Sequence, residues 1–199
     1  MFRAMTRRVR LNTIERRRIL ACSILLAVIA FGALPSVSQA ANRKLRGPGF
    51  STIVPSKWKI QRQKGAGTRV YHAVAPTNKP NVAVNSMTLD VIVASVKSLE
   101  RQLGHKLPAS PEELVGQMVG GPQGTQAQVL VPTRSTRLDG APAASVVLQY
   151  IYNNAMIVQS DTLCVRHGRV YVIELHIDTV MQFQGLPVLA QARSHWHWR

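Results

Sequence analysis

Four long segments rich in Val, Ile, Leu and Tyr fill the last third of the chain. The pairs Asp139-Gly140, Asn153-Asn154 and His167-Gly168 separate them. Pairs of this kind accept the positive φ angles of tight hairpin turns. Because a two-residue link joins antiparallel neighbours, the pattern predicts a four-stranded meander. Its predicted strands are residues 129–138, 142–152, 155–166 and 169–178.

Shorter alternating patterns precede the meander. They predict two short strands, 50–54 and 58–61, around Pro55-Ser56, and then strands over 68–75 and 82–89. Turn residues fill 64–67 and 76–80. The first part of the domain is therefore predicted to begin with a β-hairpin followed by further strands.

The spacing of apolar residues changes to a helical period in the middle of the chain. Asp90 is predicted to cap a helix that runs to Leu103 and ends at Gly104. Ser110 and Pro111 predict the start of a second helix, which ends at residues 120–121. Residues 120–128 are predicted to form a loop, and 181–198 a final helix that packs on the sheet.

Helices that are segregated from an antiparallel sheet define the α+β class. The order of elements predicts an α/β/α sandwich with a central antiparallel sheet. It comprises an N-terminal hairpin, a helical middle, a four-strand meander and a C-terminal helix. The folded domain is predicted to span residues 50–199, after a flexible linker over 41–49.

The first 40 residues have the pattern of an export signal. Seven arginines and one acid lie in residues 1–18, an uncharged apolar run covers 19–34, and small residues stand at Ser38 and Ala40. This order predicts a signal peptide that is cleaved after Ala40. An uncleaved anchor is the second interpretation, and Arg16-Arg17-Arg18 leaves twin-arginine export open beside the general route.

The charge of the chain is concentrated in two places. The 199 residues carry a formal net charge of +16, which first suggests nucleic acid. Without residues 1–40 the net charge is +10, and residues 43–69 alone account for +8 of it. The rest is nearly neutral, so the charge indicates an export leader and one local docking surface, with no nucleic-acid partner expected.

The predicted docking surface is a basic hairpin that contains one aromatic residue. One-sided charge of this kind favours an unknown protein or an anionic envelope component as partner, with peripheral membrane contact. A solvated face without a partner is the alternative. The residues are Lys57, Trp58, Lys59, Arg62, Lys64 and Arg69.

A second candidate site lies on the last meander strand. Glu174, His176 and Asp178 alternate along it and therefore share one face. Carboxylate and imidazole groups suit a divalent metal or acid–base chemistry. The alternative is a polar strand end that only makes hydrogen bonds, since alternation commonly produces such rows.

Two further features have simpler explanations. Cys164 is predicted to be an inert buried thiol, because no family signature surrounds it. His195 and His197 would chelate a metal poorly from a helix, and Trp196 between them is expected to close the core. No phosphate loop, nucleophile elbow or His-Glu-x-x-His motif occurs, so no enzymatic activity and no cofactor are expected.

Several turns and strand starts resemble those of PsbP-like domains. The matching segments are Gly49-Phe50-Ser51 with Val54-Pro55-Ser56, Tyr71 to Val84, Leu138 to Ala143, and Gly168 to Ile173. DcrB-like and LpqN-like envelope proteins and the Mog protein share this shape. The resemblance covers about residues 49–198 and implies the fold, together with a non-enzymatic binding role; it carries over no catalytic residue and no metal ligand.

The sequence therefore predicts an exported, non-enzymatic binding or assembly-assisting protein at the outer face of a bacterial membrane, which docks through the basic hairpin. A protein that binds or carries a divalent metal through Glu174, His176 and Asp178 is the alternative.

Overall fold

Ten strands and three helices make up the part of the chain that the computed structural model describes, which is residues 41–76, 87–118, 127–152, 154–179 and 182–199. The predicted signal peptide lies outside these residues, as do most of the predicted 82–89 strand, most of the 120–128 loop and the end of the second helix. No helix among the described residues combines the length and apolar character that crossing a membrane requires. The strands are β1 (Asn42–Gly47), β2 (Phe50–Pro55), β3 (Lys59–Gly65), β4 (Thr68–Val74), β5 (Thr88–Ser95), β6 (Gln128–Leu138), β7 (Ala141–Tyr152), β8 (Ala155–Arg166), β9 (Arg169–Asp178) and β10 (His197–Trp198), and the helices are α1 (Val96–Leu103), α2 (Pro111–Met118) and α3 (Gln182–Ser194).

The strands form two antiparallel sheets. The larger has the order β3-β4-β5-β9-β8-β7-β6, and the smaller has the order β1-β2-β10. The predicted meander is confirmed as β6 to β9. Asp139 and His167 have φ angles of +47° and +49°, and each is followed by a glycine with positive φ, as tight hairpin turns require.

Two hydrophobic cores lie on opposite faces of the seven-stranded sheet. We call these faces the α3 face and the α1/α2 face. On the α3 face, Phe50, Tyr171 and Trp196 pack with α3 and the small sheet. On the α1/α2 face, residues such as Leu114 and Val172 form the second core. The α+β class and the sandwich are confirmed, with the addition that one outer layer contains a three-stranded sheet beside its helix.

The predicted flexible linker over 41–49 is wrong. Residues 42–47 form β1, which pairs along its whole length with β2. Leu45 is fully buried and fixes the strand on the core. The Gly47-Pro48-Gly49 segment, whose composition suggested a linker, is the tight turn of this hairpin. Residues 50–54 belong to β2, which pairs with β1. They therefore do not pair with residues 58–61, as the predicted N-terminal hairpin required.

The predicted helix from Asp90 is also wrong over its first half, since residues 88–95 are β5, between β4 and β9. Val91 and Val93 pack in the first core, and Ile92 packs against the second. A strand that is buried on both faces shows no alternation, which is why its pattern resembled a helix. Only α1, from Val96, is helical.

The predicted final helix is too long by one turn. Helix α3 ends at Ser194, and residues 197–198 form β10 against β2. Trp196 lies in the connection between the two and is 1% exposed, so it closes the core as predicted, although from a position outside the helix.

Candidate functional site

Basic side chains gather where the β3–β4 hairpin reaches the edge of the large sheet. Lys64 lies opposite Arg69, and Arg62 lies opposite Tyr71. Because Tyr71 belongs to the first core, these three cations stand on the α3 face. All three are exposed, and charges on an outer strand also discourage pairing with a further strand.

The β1–β2 turn lies above this face and forms one wall of a half-open cavity of about 350 Å³. Arg169 at the start of β9 lines its other side, because Arg169 pairs with Ser95 on β5. Pro48 comes from the turn, and Val93 and Ala94 come from the sheet. The lining residues are Pro48, Lys64, Gly65, Gly67, Thr68, Arg69, Val93, Ala94, Ser95 and Arg169.

Two more cavities flank the first one. A cavity of about 240 Å³ shares Lys64 and Arg69 with it and adds Arg46 and Arg62. A cavity of about 450 Å³ shares Arg169 with it and adds Arg166, Trp198 and Arg199, together with Gly49, His167 and Tyr171. The three form one surface around the β1–β2 turn. We call it the basic trough and define it by Arg46, Arg62, Lys64, Arg69, Arg166 and Arg169.

The positive charge of the trough has no acidic side chain against it. Within the described ranges, the ion pairs are His72–Asp90, His176–Glu174 and His197–Asp139, and none of them involves lysine or arginine. No aspartate or glutamate lines the three cavities. Uncompensated charge in a concave surface concentrates the electrostatic field there, so the trough is arranged to attract anions.

The structure brings together only half of the predicted basic site. Arg62, Lys64 and Arg69 belong to the trough, whereas Lys57 and Lys59 are exposed at the opposite end of the hairpin. Trp58 is 7% exposed and packs in the first core. Its carbonyl oxygen accepts a hydrogen bond from Arg43. Its ring is therefore not placed to stack on a partner.

Sequence reasoning missed Arg46, Arg166 and Arg169 as members of the site. Arg46 was assigned to a linker, and the two others lie about a hundred positions beyond the hairpin. Only the β5–β9 pairing and the β1–β2 turn bring them beside Arg69. A local signal existed for Arg166 and Arg169, which flank the predicted His167-Gly168 turn and pair with each other across it.

The predicted metal row belongs to a larger polar cluster on the α1/α2 face. Glu174 lies opposite Asp90 on one side and Asp161 on the other. His176 forms an ion pair with Glu174, and its Nδ1 lies 3.0 Å from the hydroxyl of Tyr150. Asp178 is buried at the end of the same strand.

Burial and the charge of Glu174 together shift the pKa values of this cluster. Burial, reinforced by the charge of Glu174, raises the pKa of Asp161 to about 7. Burial also raises the pKa of Asp90, although His72, 2.9 Å away, partly opposes the shift. For His176, burial alone would lower the pKa, but the hydrogen bond and charge of Glu174 outweigh it and the pKa is raised.

The geometry gives the metal alternative no support. Among the residues that the structure describes, no group of three or more His, Cys, Asp or Glu side chains is placed to hold a metal ion. His195 is exposed and bonds the end of α3, while His197 lies in β10 beside Asp139. The metal site therefore stays a prediction.

Cys164 is buried, as the sequence predicted, and forms no disulfide with any of the described residues. Burial raises the pKa of its thiol to about 11. A thiol with this pKa carries very little of the nucleophilic thiolate at neutral pH.

Comparison with solved structures places this architecture among known folds. Cyanobacterial PsbP from Synechocystis sp. PCC 6803 matches with a TM-score of 0.54 and 14% identity, over 85% of this chain and 99% of that chain. LpqN, involved in cell envelope biogenesis of Mycobacterium tuberculosis, matches with a TM-score of 0.51 and 13% identity, over 79% and 90%. No family model matches the sequence, and no curated protein matches it in sequence. At these identities the likeness concerns the fold, and the chain has the PsbP-like fold that its turns and strand starts indicated.

Proposed function

We propose that this protein is exported and acts as a non-enzymatic binding or assembly-assisting protein at the outer face of a bacterial membrane, where the basic trough docks on an anionic envelope component. The observation that carries the proposal is the trough itself. It brings six basic side chains from five strands together around one turn, and no acidic side chain of the described residues lines its cavities.

Export is supported by the order of residues 1–40, in which a basic segment, an apolar run and small residues follow one another. A structural neighbour, LpqN, is involved in cell envelope biogenesis in its own organism. Both observations support an envelope location for this protein. Anionic surfaces to which the trough could bind are abundant there.

The physics of the trough favours an anionic surface over single-stranded nucleic acid. Binding of single strands relies on exposed aromatic rings between the cations. Trp58, the aromatic residue of the predicted hairpin site, is buried. The ring of Trp198, which lines the trough, is already covered by Arg166 and by edge-on contacts with Tyr171 and Trp196. A basic residue near an anionic lipid surface contributes about 1 kcal/mol to binding. The exposed cations of the trough can therefore hold the protein on such a surface.

Neutralising two trough cations is expected to weaken this docking. The test uses residues 40–199, which form a compact unit with both cores, and vesicles that contain an anionic phospholipid. The double variant Lys64→Gln/Arg69→Gln should bind roughly thirtyfold more weakly than the wild type, since two contributions of about 1 kcal/mol each are lost. Co-sedimentation at several salt concentrations measures the affinity.

The matched control is Lys57→Gln/Lys59→Gln, which removes the same charge from exposed positions of the same hairpin outside the trough. It should bind within about threefold of the wild type. Equal weakening in both variants would mean that only net charge matters, and unchanged binding in both would mean that the trough does not dock. Either result contradicts the proposal.

A further inference from the structure

We infer that the cavity under the β1–β2 turn binds the phosphomonoester headgroup of a membrane lipid, with Lys64, Arg69 and Arg169 as its ligands. The inference rests on the proposed function, because it names the anionic group on which the trough docks. The three cations line a single cavity of about 350 Å³, within the range of small-ligand sites.

The register of the sheet directs these side chains to one point. Arg69 pairs with Val93 and Arg169 pairs with Ser95, on opposite sides of β5. Strand spacings of ~4.8 Å and a residue rise of ~3.3 Å place the two arginine Cα atoms roughly 12 Å apart. Two long side chains can meet over β5 across that separation, and Lys64 adds a third charge from beside Arg69.

The roof of the cavity is held in place. The hydroxyl of Tyr171 donates a hydrogen bond to the carbonyl oxygen of Pro48, at 3.4 Å. Gly49 has a φ of +81°, and a Cβ at this position would lie 2.4 Å from the Tyr171 oxygen. The turn thus approaches the sheet as closely as glycine permits, and a site with a fixed roof loses little entropy when it binds a ligand.

The charge and the walls favour a phosphomonoester over a carboxylate. A single arginine fork already satisfies one carboxylate, which would leave two cations of the cavity without a counterion. A phosphomonoester carries up to two charges and three free oxygens, so it can accept from all three side chains. Val93 and Pro48 give the cavity an apolar floor and roof, against which the carbon skeleton of a headgroup can pack.

The test compares two single variants of residues 40–199 that remove the same charge. Arg169→Gln changes a ligand of the cavity, whereas Arg62→Gln changes a trough residue that does not line it. Glycerol 3-phosphate serves as the headgroup probe in calorimetry, succinate as the carboxylate probe, and vesicles with phosphatidate as the membrane probe. Thermal unfolding checks that both variants remain folded.

Arg169→Gln is expected to weaken glycerol 3-phosphate binding at least tenfold, and Arg62→Gln less than twofold, with succinate bound more weakly than glycerol 3-phosphate by the wild type. Phosphatidate vesicles should compete with glycerol 3-phosphate.

Equal effects of the two variants, or equal binding of succinate, would overturn the assignment of the cavity while leaving general electrostatic docking intact. Binding of glycerol 3-phosphate without competition by vesicles would overturn the lipid source. Failure of Lys64→Gln/Arg69→Gln to weaken vesicle binding would instead contradict the proposed function.

Discussion

Trp196→Ala is expected to destabilise the folded protein by about 3–5 kcal/mol, the usual cost of deleting a buried aromatic side chain. Trp196 is 1% exposed. Its ring stacks on Phe50 at 4.6 Å between centroids and meets Tyr171 and Trp198 edge-on at 6.2 Å and 5.4 Å. The cavity left by alanine would open between α3, the small sheet and the large sheet. Urea denaturation of residues 40–199, followed by circular dichroism, measures the loss.

Two further variants make this prediction specific. Phe183→Ala removes an aromatic ring that is 80% exposed and should change stability by less than about 0.5 kcal/mol. Trp196→Phe should cost much less than alanine, because it keeps an aromatic ring in the stack and removes a buried indole N–H that has no hydrogen-bond partner among the described residues. Similar losses for Trp196→Ala and Phe183→Ala would show that the first core is not organised as described.

Asp161→Asn is expected to stabilise the folded protein by up to about 4 kcal/mol at pH 8 and to change little at pH 4. The pKa of Asp161 is about 7 in the folded state and near 3.8 in an unfolded chain, and each pKa unit corresponds to about 1.4 kcal/mol. A raised pKa means that the folded state prefers the protonated form, so stability falls as the pH rises from about 4 to about 7 and stays low above it. Asparagine avoids this ionisation beside Glu174. It also retains an oxygen that can accept from Gln159, which donates to Asp161 at 2.8 Å.

The pH dependence of the wild type should have the same sign. The pKa values of Asp90 and His176 are also raised, so each of these groups favours folding more below its folded pKa than above it. Denaturation at pH 4, 6 and 8 should show wild-type stability falling towards pH 8 and a flatter profile for Asp161→Asn. Glu113→Gln, at an exposed position of α2, is the matched control and should follow the wild type. Destabilisation by Asp161→Asn at every pH would contradict the burial of an ionisable group at this position.

The meander could be predicted because its turns are local. Asp139, Asn154 and His167 all have positive φ, and residues that tolerate this conformation are visible in the sequence. The β5 strand could not be predicted in this way, since Val91 and Val93 are buried in the first core, Ile92 packs against the second, and such a pattern fits a helix equally well. Strand β1 has a single buried apolar residue, Leu45, and exists because β2 and the core are available to pair and pack with it.

The candidate site likewise contains residues that a local pattern places together and residues that only the tertiary structure brings in. Lys64 and Arg69 face each other across one hairpin, so a local pattern was enough to place them together. Arg169 joins them only through the pairing of β5 with β9, which depends on the whole sheet. Trp58 stands between two lysines and is predicted with them as part of the docking surface, but its ring packs in the first core. Composition located the basic region, and the tertiary structure decided which of its residues act together.

The most direct test of the account is the footprint of an anionic membrane on the protein. Hydrogen–deuterium exchange of residues 40–199, with and without anionic vesicles, reports which backbone amides become protected. The account predicts added protection at residues 64–69 and 166–169, on both sides of the β1–β2 turn, and none in the connection between β7 and β8 at the other end of the large sheet. Protection confined to that other end, or none anywhere, would contradict docking through the basic trough.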